Sequence, residues 1–487
     1  MTRWPRRSAW HALIPMRRYG VLSPDIPGIA GVAGIAGMLA ALAAATTQCA
    51  AGHTKAPAGE LASIAPVAPS PSRVEPAAAA AASAEPAPPG APSAAPQGSD
   101  VSHLDRGSNL DRLFDALAAL EDGRSHDAVH IVQYGDSHTA SDLGVSVFRH
   151  ALEARFGDGG RGFVPLGKPW KGYWQDGLHP GMSREFKPVR FKIKGGSTVA
   201  NGSFGLLGIG LEATTADARA WDEVTPRFSH LEIDFWRQPR GGAFDVFVDD
   251  VKTARVASKA AKAGSGFLGF DVPEASHKIA VRTVGDGPVR VFGMTLDRAP
   301  GGIVVDGLGI VGAQITLPLR WQEAHFSEQV AHRNPRLVIL AYGTNEAVDT
   351  TLTDAEYERD LKELLGRVAR AAPGASCLLL GPPDLARQNE DTGEWLTVPR
   401  ILEIVAMQRR IATASGCAFF DQLAAMGGAG SISAWADEPE PRALKDRIHL
   451  KPSGYAQLAT SFATDLLHAY DDWRSERAGA PAVAERP

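Results

Sequence analysis

Three short segments carry the residue types that acyl transfer needs. Gly135-Asp136-Ser137-His138 follows a strand-like run over 128–134 and opens a helical pattern. Gly343-Thr344-Asn345-Glu346 follows the apolar run 337–341, and Asp446-Arg447-Ile448-His449 comes just before the last helical stretch. A serine hydroxyl is a weak nucleophile and needs an adjacent base. His449 is the candidate base; Asp446, three residues earlier, can hold its imidazole tautomer and stabilise its charged form. A tetrahedral intermediate also needs donors aimed where its negative charge develops. The Ser137 N–H, the Asn345 amide and a glycine N–H within 307–312 are the candidates.

Taken singly, each segment is weak. Gly, Asp and Ser favour turns for their own reasons, Gly-Thr-Asn-Glu can cap a helix, and Asp-x-x-His can be a surface loop. Their joint order on one parallel sheet is strong, because such sheets gather their sites at the carboxyl ends of strands. Gly307-Leu-Gly-Ile-Val-Gly312 also fits the dinucleotide pattern, but no first βαβ half precedes it, and a nucleotide site is set aside. Asp136 reads as a turn-former. His138 stands open between lining the site and capping the helix. Asp384 borders the substrate or, by default, makes a turn. His230 and His277 read as structural, and Trp170, Tyr173 and Trp174 as packing or as a sugar-stacking cluster.

The segments between the motifs must bring them together. Leu110, Leu113, Leu117 and Leu120 have helical spacing, and a second amphipathic stretch covers 142–155. Short apolar runs at 303–305, 337–341, 377–380 and 417–420 alternate with helical patterns near 318–332, 354–371, 400–414 and 454–470. That rhythm predicts an α/β fold with a parallel, doubly wound sheet. Residues 191–194, 230–236, 244–248 and 277–282 instead alternate with period two between Gly, Pro and Asp turns, which predicts an antiparallel β-sandwich. The expected organisation is an export signal over 1–49 and an Ala/Pro-rich linker over 50–103. An α/β domain follows in two parts, 104–183 and 298–473, interrupted by the β-sandwich over 184–297 and followed by a disordered tail over 474–487.

These residues resemble the SGNH (GDSL-like) hydrolase superfamily, over roughly 104–470. The resemblance implies a flavodoxin-like doubly wound fold, Ser137 as nucleophile, Asp446 and His449 as its partners, and no metal or organic cofactor. It implies an oxyanion hole of Ser137, Gly312 and Asn345; Gly312 is preferred to Gly309 because it precedes a helical stretch. His138 stands where many members have Leu, and Glu346 where many have Asp. Those departures resemble the peptidoglycan O-acetylesterases, which carry a jelly-roll carbohydrate-binding module between the first and second blocks. The segment 157–163, Met426-Gly-Gly and Trp435 add to the likeness. The implied activity is removal of O-acetyl groups from an extracytoplasmic polysaccharide, peptidoglycan first, through an acetyl-enzyme. Acetyl transfer to a sugar hydroxyl would use the same triad and stays open, as does a glycan-binding envelope protein with a vestigial site.

A formal net charge of −5 without a basic patch excludes a nucleic-acid footprint. The three cysteines, Cys49, Cys377 and Cys417, match no zinc spacing. Cys377 and Cys417 read as buried free thiols in preference to a bridge, because disulfide geometry is demanding. Arg3, Arg6, Arg7, Arg17 and Arg18 precede the apolar run 28–45, the pattern of an export signal. Its Gly and Ala content is weakly hydrophobic for a membrane span. Cys49 is open as a lipidation site, with Gln48 a poor neighbour for that cleavage. The location expected is periplasmic or outer-envelope, touching the membrane only through an N-terminal anchor. The Ala/Pro/Ser-rich linker cannot bury enough apolar surface to order itself and reads as a tether.

Overall fold

The structure, a computed structural model, describes residues 102–107, 110–192, 196, 198 and 202–479. The expected export signal, Cys49 and nearly all of the linker lie outside the described residues, as do residues 480–487. The chain runs through β1 (Leu104–Asp105), α1 (Asp111–Glu121), β2 (Val129–Gly135), α2 (Ser137–Ala140) and α3 (Leu143–Phe156). Next come β3 (Gly160–Val164), β4 (Leu178–Met182), β5 (Lys187–Arg190), β6 (Ile209–Ala213), β7 (Arg219–Arg237), β8 (Ala243–Val248), β9 (Val251–Ala257), β10 (Gly264–Thr283) and β11 (Val289–Asp297). Then follow β12 (Ile303–Gly309), α4 (Thr316–Leu319), α5 (Glu323–Arg333), β13 (Leu337–Ala341), α6 (Thr344–Ala347), α7 (Asp354–Ala371) and β14 (Ser376–Leu380). The last part holds β15 (Ala386–Gln388), β16 (Trp395–Thr397), α8 (Pro399–Ser415), β17 (Ala418–Phe420), α9 (Gln422–Met426), α10 (Ser431–Ala436) and α11 (Pro452–Gly479).

Among the described residues, one sheet has the order β1-β17-β14-β13-β2-β12, parallel throughout except for β1. Counting the parallel strands along the chain, this is the order 2-1-3-4-5 of flavodoxin-like sheets. Successive residues of each strand serve opposite faces, so both faces need cover. Ile131, Ile339, Leu378 and Phe420 pack under α1, α3 and α11, through Phe114, Phe148 and Phe462. Val132, Tyr134, Leu340 and Phe419 pack under α5, α7 and α8, through Val330, Tyr357 and Ile404. The mixed sheet and its two helical layers agree with the α/β expectation. The helix foreseen over 318–332 is broken in two, because Gln322 turns out of helical geometry to cap α5 by accepting the His325 N–H.

Among the described residues, the alternating runs 230–236, 244–248 and 277–282 fall in one connected, nine-stranded antiparallel sheet built around the long strands β7 and β10, of 19 and 20 residues. The run expected over 191–194 follows β5 instead of forming a strand, and residues 193 and 194 lie outside the described residues. The sheet begins earlier than residue 184: β3 pairs with β11 and β4 with β7. The glycines of 157–162 hide that start, since they leave no side chain to alternate. Arg333, buried at the end of α5, fastens the two sheets together. Its guanidinium meets Asp306 of β12 at 2.6 Å and Asp297 of β11 at 2.9 Å, while Asp306 accepts the Phe163 N–H of β3 at 2.7 Å.

Two expectations are corrected. Residues 474–479 are not tail but continue α11, because Trp473 is buried and Arg474 and Arg477 reach Asp122 and Asp115 of the first helical layer. Cys377 and Cys417 are not free thiols but a disulfide with Cα atoms 4.9 Å apart. The reason is topological: Leu378 pairs with Ala418, so the residue before each faces its counterpart across neighbouring strands at about the inter-strand spacing. No helix among the described residues is long and apolar enough to cross a membrane. The bridge closes a 40-residue loop, so the double variant C377S/C417S should lose about 2–4 kcal/mol in urea unfolding. Dithiothreitol should cost the parent as much and leave the variant unchanged; equal stability of the two proteins would show that the bridge constrains nothing.

Candidate active site

Ser137 opens α2 at the carboxyl end of β2, and two glycines let that short helix lie directly on the sheet. A Cβ on Gly135 would stand 2.1 Å from Thr139 Oγ1, and one on Gly309 would stand 2.0 Å from the Ala140 nitrogen. Gln133 donates to Thr139 Oγ1 at 3.1 Å, tying helix to strand. Asp136 caps α2 by accepting the His138 N–H at 2.9 Å. Burial pushes the Asp136 carboxyl up to about 6, against the His138 N–H and Thr344 hydrogen bonds that favour its charge. Asp136 thus fixes the turn, as its residue type suggests.

His449 arrives from the turn before α11. Its Nε2 is 3.0 Å from Ser137 Oγ, and its Nδ1 is 2.8 Å from Asp446 Oδ2. Asp446 Oδ1 accepts the N–H groups of Ile448 and His449, each at 3.0 Å. Burial alone would raise the Asp446 carboxyl, but the His449 ring and those two N–H groups outweigh it and hold it below its ordinary range. An ionised Asp446 places the ring proton on Nδ1 and leaves Nε2 free to accept from the serine. The turn between them is strained, with Arg447 at φ +52°. It is held from outside: the Arg447 guanidinium pairs with Asp437 at 2.8 Å and lies 4.7 Å from the Trp395 ring centroid. The Arg447 carbonyl also accepts the Ala386 N–H at 3.0 Å.

The oxyanion candidates lie on the adjoining strand ends. Gly312 sits at φ +75° in a turn closed by the Ala313 N–H on the Ile310 carbonyl at 3.0 Å, and the Ile310 N–H meets the Gly135 carbonyl at 3.0 Å. Gly309 lies inside β12 against α2, so the dinucleotide-like pattern starts within a strand and makes no phosphate loop. Asn345 donates to the Ala313 carbonyl at 2.9 Å and, loosely, to Asp136 at 3.5 Å. Glu346, fully buried, accepts the Ile315 N–H at 2.7 Å and the Gly343 N–H at 3.0 Å, so one carboxyl ties the Gly312 loop to the Asn345 loop. Burial raises it to about 7, opposed by those N–H bonds and assisted by Asp136.

The structure therefore brings Ser137, His449 and Asp446 into one hydrogen-bonded chain, with Asn345 alongside through its contact to Asp136. Asp384 is fully buried and accepts from Thr397 and the Ile432 N–H, which makes it a support rather than a substrate contact. His230 and His277 pair with Asp271 and Asp249 in the antiparallel sheet. Tyr173 is buried with Trp170 edge-on against it, while Trp174 is exposed. Sequence reasoning missed Tyr455, whose hydroxyl is 3.0 Å from His138, and the linking role of Glu346. The signal for Glu346 was its place three residues after Gly343; for Tyr455 there was none. Among the described residues, no group of three or more His, Cys, Asp or Glu could hold a metal ion.

Residues 274–457 match the GDSL-like Lipase/Acylhydrolase family. Gly312, Asn345, Asp446 and His449 fall inside that match, and Ser137 lies before it. A solved peptidoglycan O-acetylesterase structure is 26% identical with a TM-score of 0.64, covering 76% of this chain and 100% of its own. A family two carbohydrate esterase from Clostridium thermocellum, solved with cellohexaose, is 12% identical over 54% of this chain and 95% of its own, with a TM-score of 0.24. An acetyl xylan esterase is 21% identical over 34% of this chain and 80% of its own, with a TM-score of 0.26. No curated protein sequence matches the chain.

The buried carboxyls set a pH dependence of stability. Asp136 and Glu346 keep their protons to about pH 6 and 7 in the folded chain. The unfolded chain releases them near pH 4. Their contribution to stability is therefore complete below about pH 4 and is lost as pH rises to about 7. The urea midpoint of E346Q should fall less over that window than that of the parent; parallel curves would mean that Glu346 titrates as it does in water.

Proposed function

This chain is an SGNH-type ester hydrolase carrying a GDSL-like acylhydrolase domain, and from that premise we propose that it removes O-acetyl groups from an extracytoplasmic polysaccharide, peptidoglycan first. One observation carries the substrate class: the likeness, at a TM-score of 0.64, extends over 100% of a peptidoglycan O-acetylesterase. In this reading Ser137 gives its proton to His449 Nε2 as Oγ attacks the acetyl carbonyl. Asp446 stabilises the imidazolium that forms. The oxyanion is held by the N–H groups of Ser137 and Gly312 and by the Asn345 amide. The 2.9 Å bond to Ala313 keeps the amide oriented, while the 3.5 Å contact to Asp136 is weak enough for that hydrogen to turn to the oxyanion. His449 then returns the proton to the departing sugar oxygen, and water activated by the same ring releases acetate.

An acetyl group is too small to supply much affinity, and the antiparallel sheet is the part of the chain available to hold the glycan. Export belongs to the same reading: a basic then apolar N-terminus and the Cys377–Cys417 bridge both suit an oxidising compartment. The test is acetate release from O-acetylated peptidoglycan. The parent should release it and Ser137→Ala should not, while Asn345→Ala should lose about 10²–10³ in kcat with little change in KM. If the parent cleaves a simple aryl acetate but releases nothing from peptidoglycan, the triad stands and the glycan assignment falls.

A further inference from the structure

His138 follows the nucleophile and has no part in the chemistry above. Its Nδ1 is 3.0 Å from the Tyr455 hydroxyl of α11, and its carbonyl accepts the Ser141 hydroxyl at 2.8 Å. Its ring centroid stands 5.4 Å from that of His449, with the planes inclined by 33°. With Asp136, Phe148 and Tyr455 it lines a cavity of about 50 Å³ beneath the nucleophile turn. Its Nε2 is buried and has no hydrogen-bond partner. Burial, and then the neighbouring His449, push its pKa down to about 3, so the ring is neutral at any working pH.

An apolar side chain of similar size would fill this place without burying an unpaired nitrogen, a loss that packing alone does not explain. The neighbour it serves is the base. His449 is tethered at Nδ1 by Asp446, and a ring held at one atom can still tilt about that bond. A tilt of a fraction of an ångström at Nε2 spoils proton transfer from Ser137, because reactive geometry tolerates little misplacement. The His138 ring stands beside that of His449 at a tilt and limits that movement. Tyr455 stops the His138 ring from turning, and its neutrality places no positive charge beside the imidazolium.

We propose that His138, anchored by Tyr455, is a positioning residue for His449, fixing the plane of the base so that Nε2 stays on Ser137 Oγ in both acylation and deacylation. The inference rests on the esterase reading above. The test is hydrolysis of an aryl acetate by the parent, His138→Leu, Tyr455→Phe and the double variant, with Ser137→Ala as the blank. Rates are expressed per site labelled by a fluorophosphonate, so that misfolded chains are not counted. We expect kcat to fall about tenfold or more in His138→Leu and about threefold to tenfold in Tyr455→Phe, with KM within about twofold. The double variant should be no slower than His138→Leu, since both residues act through one ring. A purely structural role would lower the melting temperature or the labelled fraction and leave kcat per labelled site in place. Single-variant kcat values within about twofold of the parent, or losses that multiply in the double variant, would overturn the proposal. A parent no faster than Ser137→Ala would instead overturn the esterase reading, and this inference with it.

Discussion

The hydrogen bond between Ser137 Oγ and His449 Nε2 spans 3.0 Å in space and 312 residues in sequence, and most of the architecture serves to keep it that short. On the serine side the constraint is closeness. Ser137 stands on a helix that touches the sheet, and glycines at 135 and 309 leave room for that contact. On the histidine side the constraint is direction. A four-residue turn must aim one carboxylate at the ring and at two backbone N–H groups together, and it does so with an arginine in the left-handed region. The cost of that backbone is offset by contacts that point away from the site, to Asp437, Trp395 and Ala386. The strand order completes the arrangement. β2 and β13 are neighbours at the point where the winding of the sheet reverses, and the crevice there receives both the serine turn and the asparagine turn.

How much of this was legible in the sequence depended on how local each cause was. The parallel sheet could be read because strands buried on both faces are continuous apolar runs, and 337–341 is nothing else. Ser137, Asn345, Asp446 and His449 stood out because their turns combine residue types that acyl transfer needs. The disulfide could not be read, since Cys377 and Cys417 meet only through the pairing of β14 with β17. Residues 474–479 were misjudged for the same reason: their charges look like a solvated tail until Asp115 and Asp122 are known to face them. Tyr455 lies in a helix of ordinary composition, and nothing in its own segment marks it as the neighbour of His138.

Arg333 shows a different kind of dependence. A guanidinium with almost no exposure is tolerable only if its charge is answered, and Asp297 and Asp306 answer it from two different sheets. The arginine itself belongs to neither sheet but to α5. A buried ion pair is weak evidence for net stability, but a docking of the sheets that took Asp297 or Asp306 away would leave the Arg333 charge buried with less to answer it. β11 and β3 of the antiparallel sheet are thereby tied to β12, the strand that leads directly into the Gly312 turn.

The place where the chain leaves the parallel sheet and the place where it returns are almost the same point. The Ile303 N–H bonds to the Gly157 carbonyl at 2.9 Å, and the Gly159 N–H bonds back to the Ile303 carbonyl at 3.0 Å. β2 and β12 are hydrogen-bonded neighbours although the whole antiparallel sheet lies between them in sequence. For the reaction centre, everything strung between those two points is an excursion with coincident ends. Its ends are fixed at one point, and what holds the rest in place is a row of side-chain contacts to α3 and α5, among them Arg161–Asp142, Glu232–His332 and Asp297–Arg333.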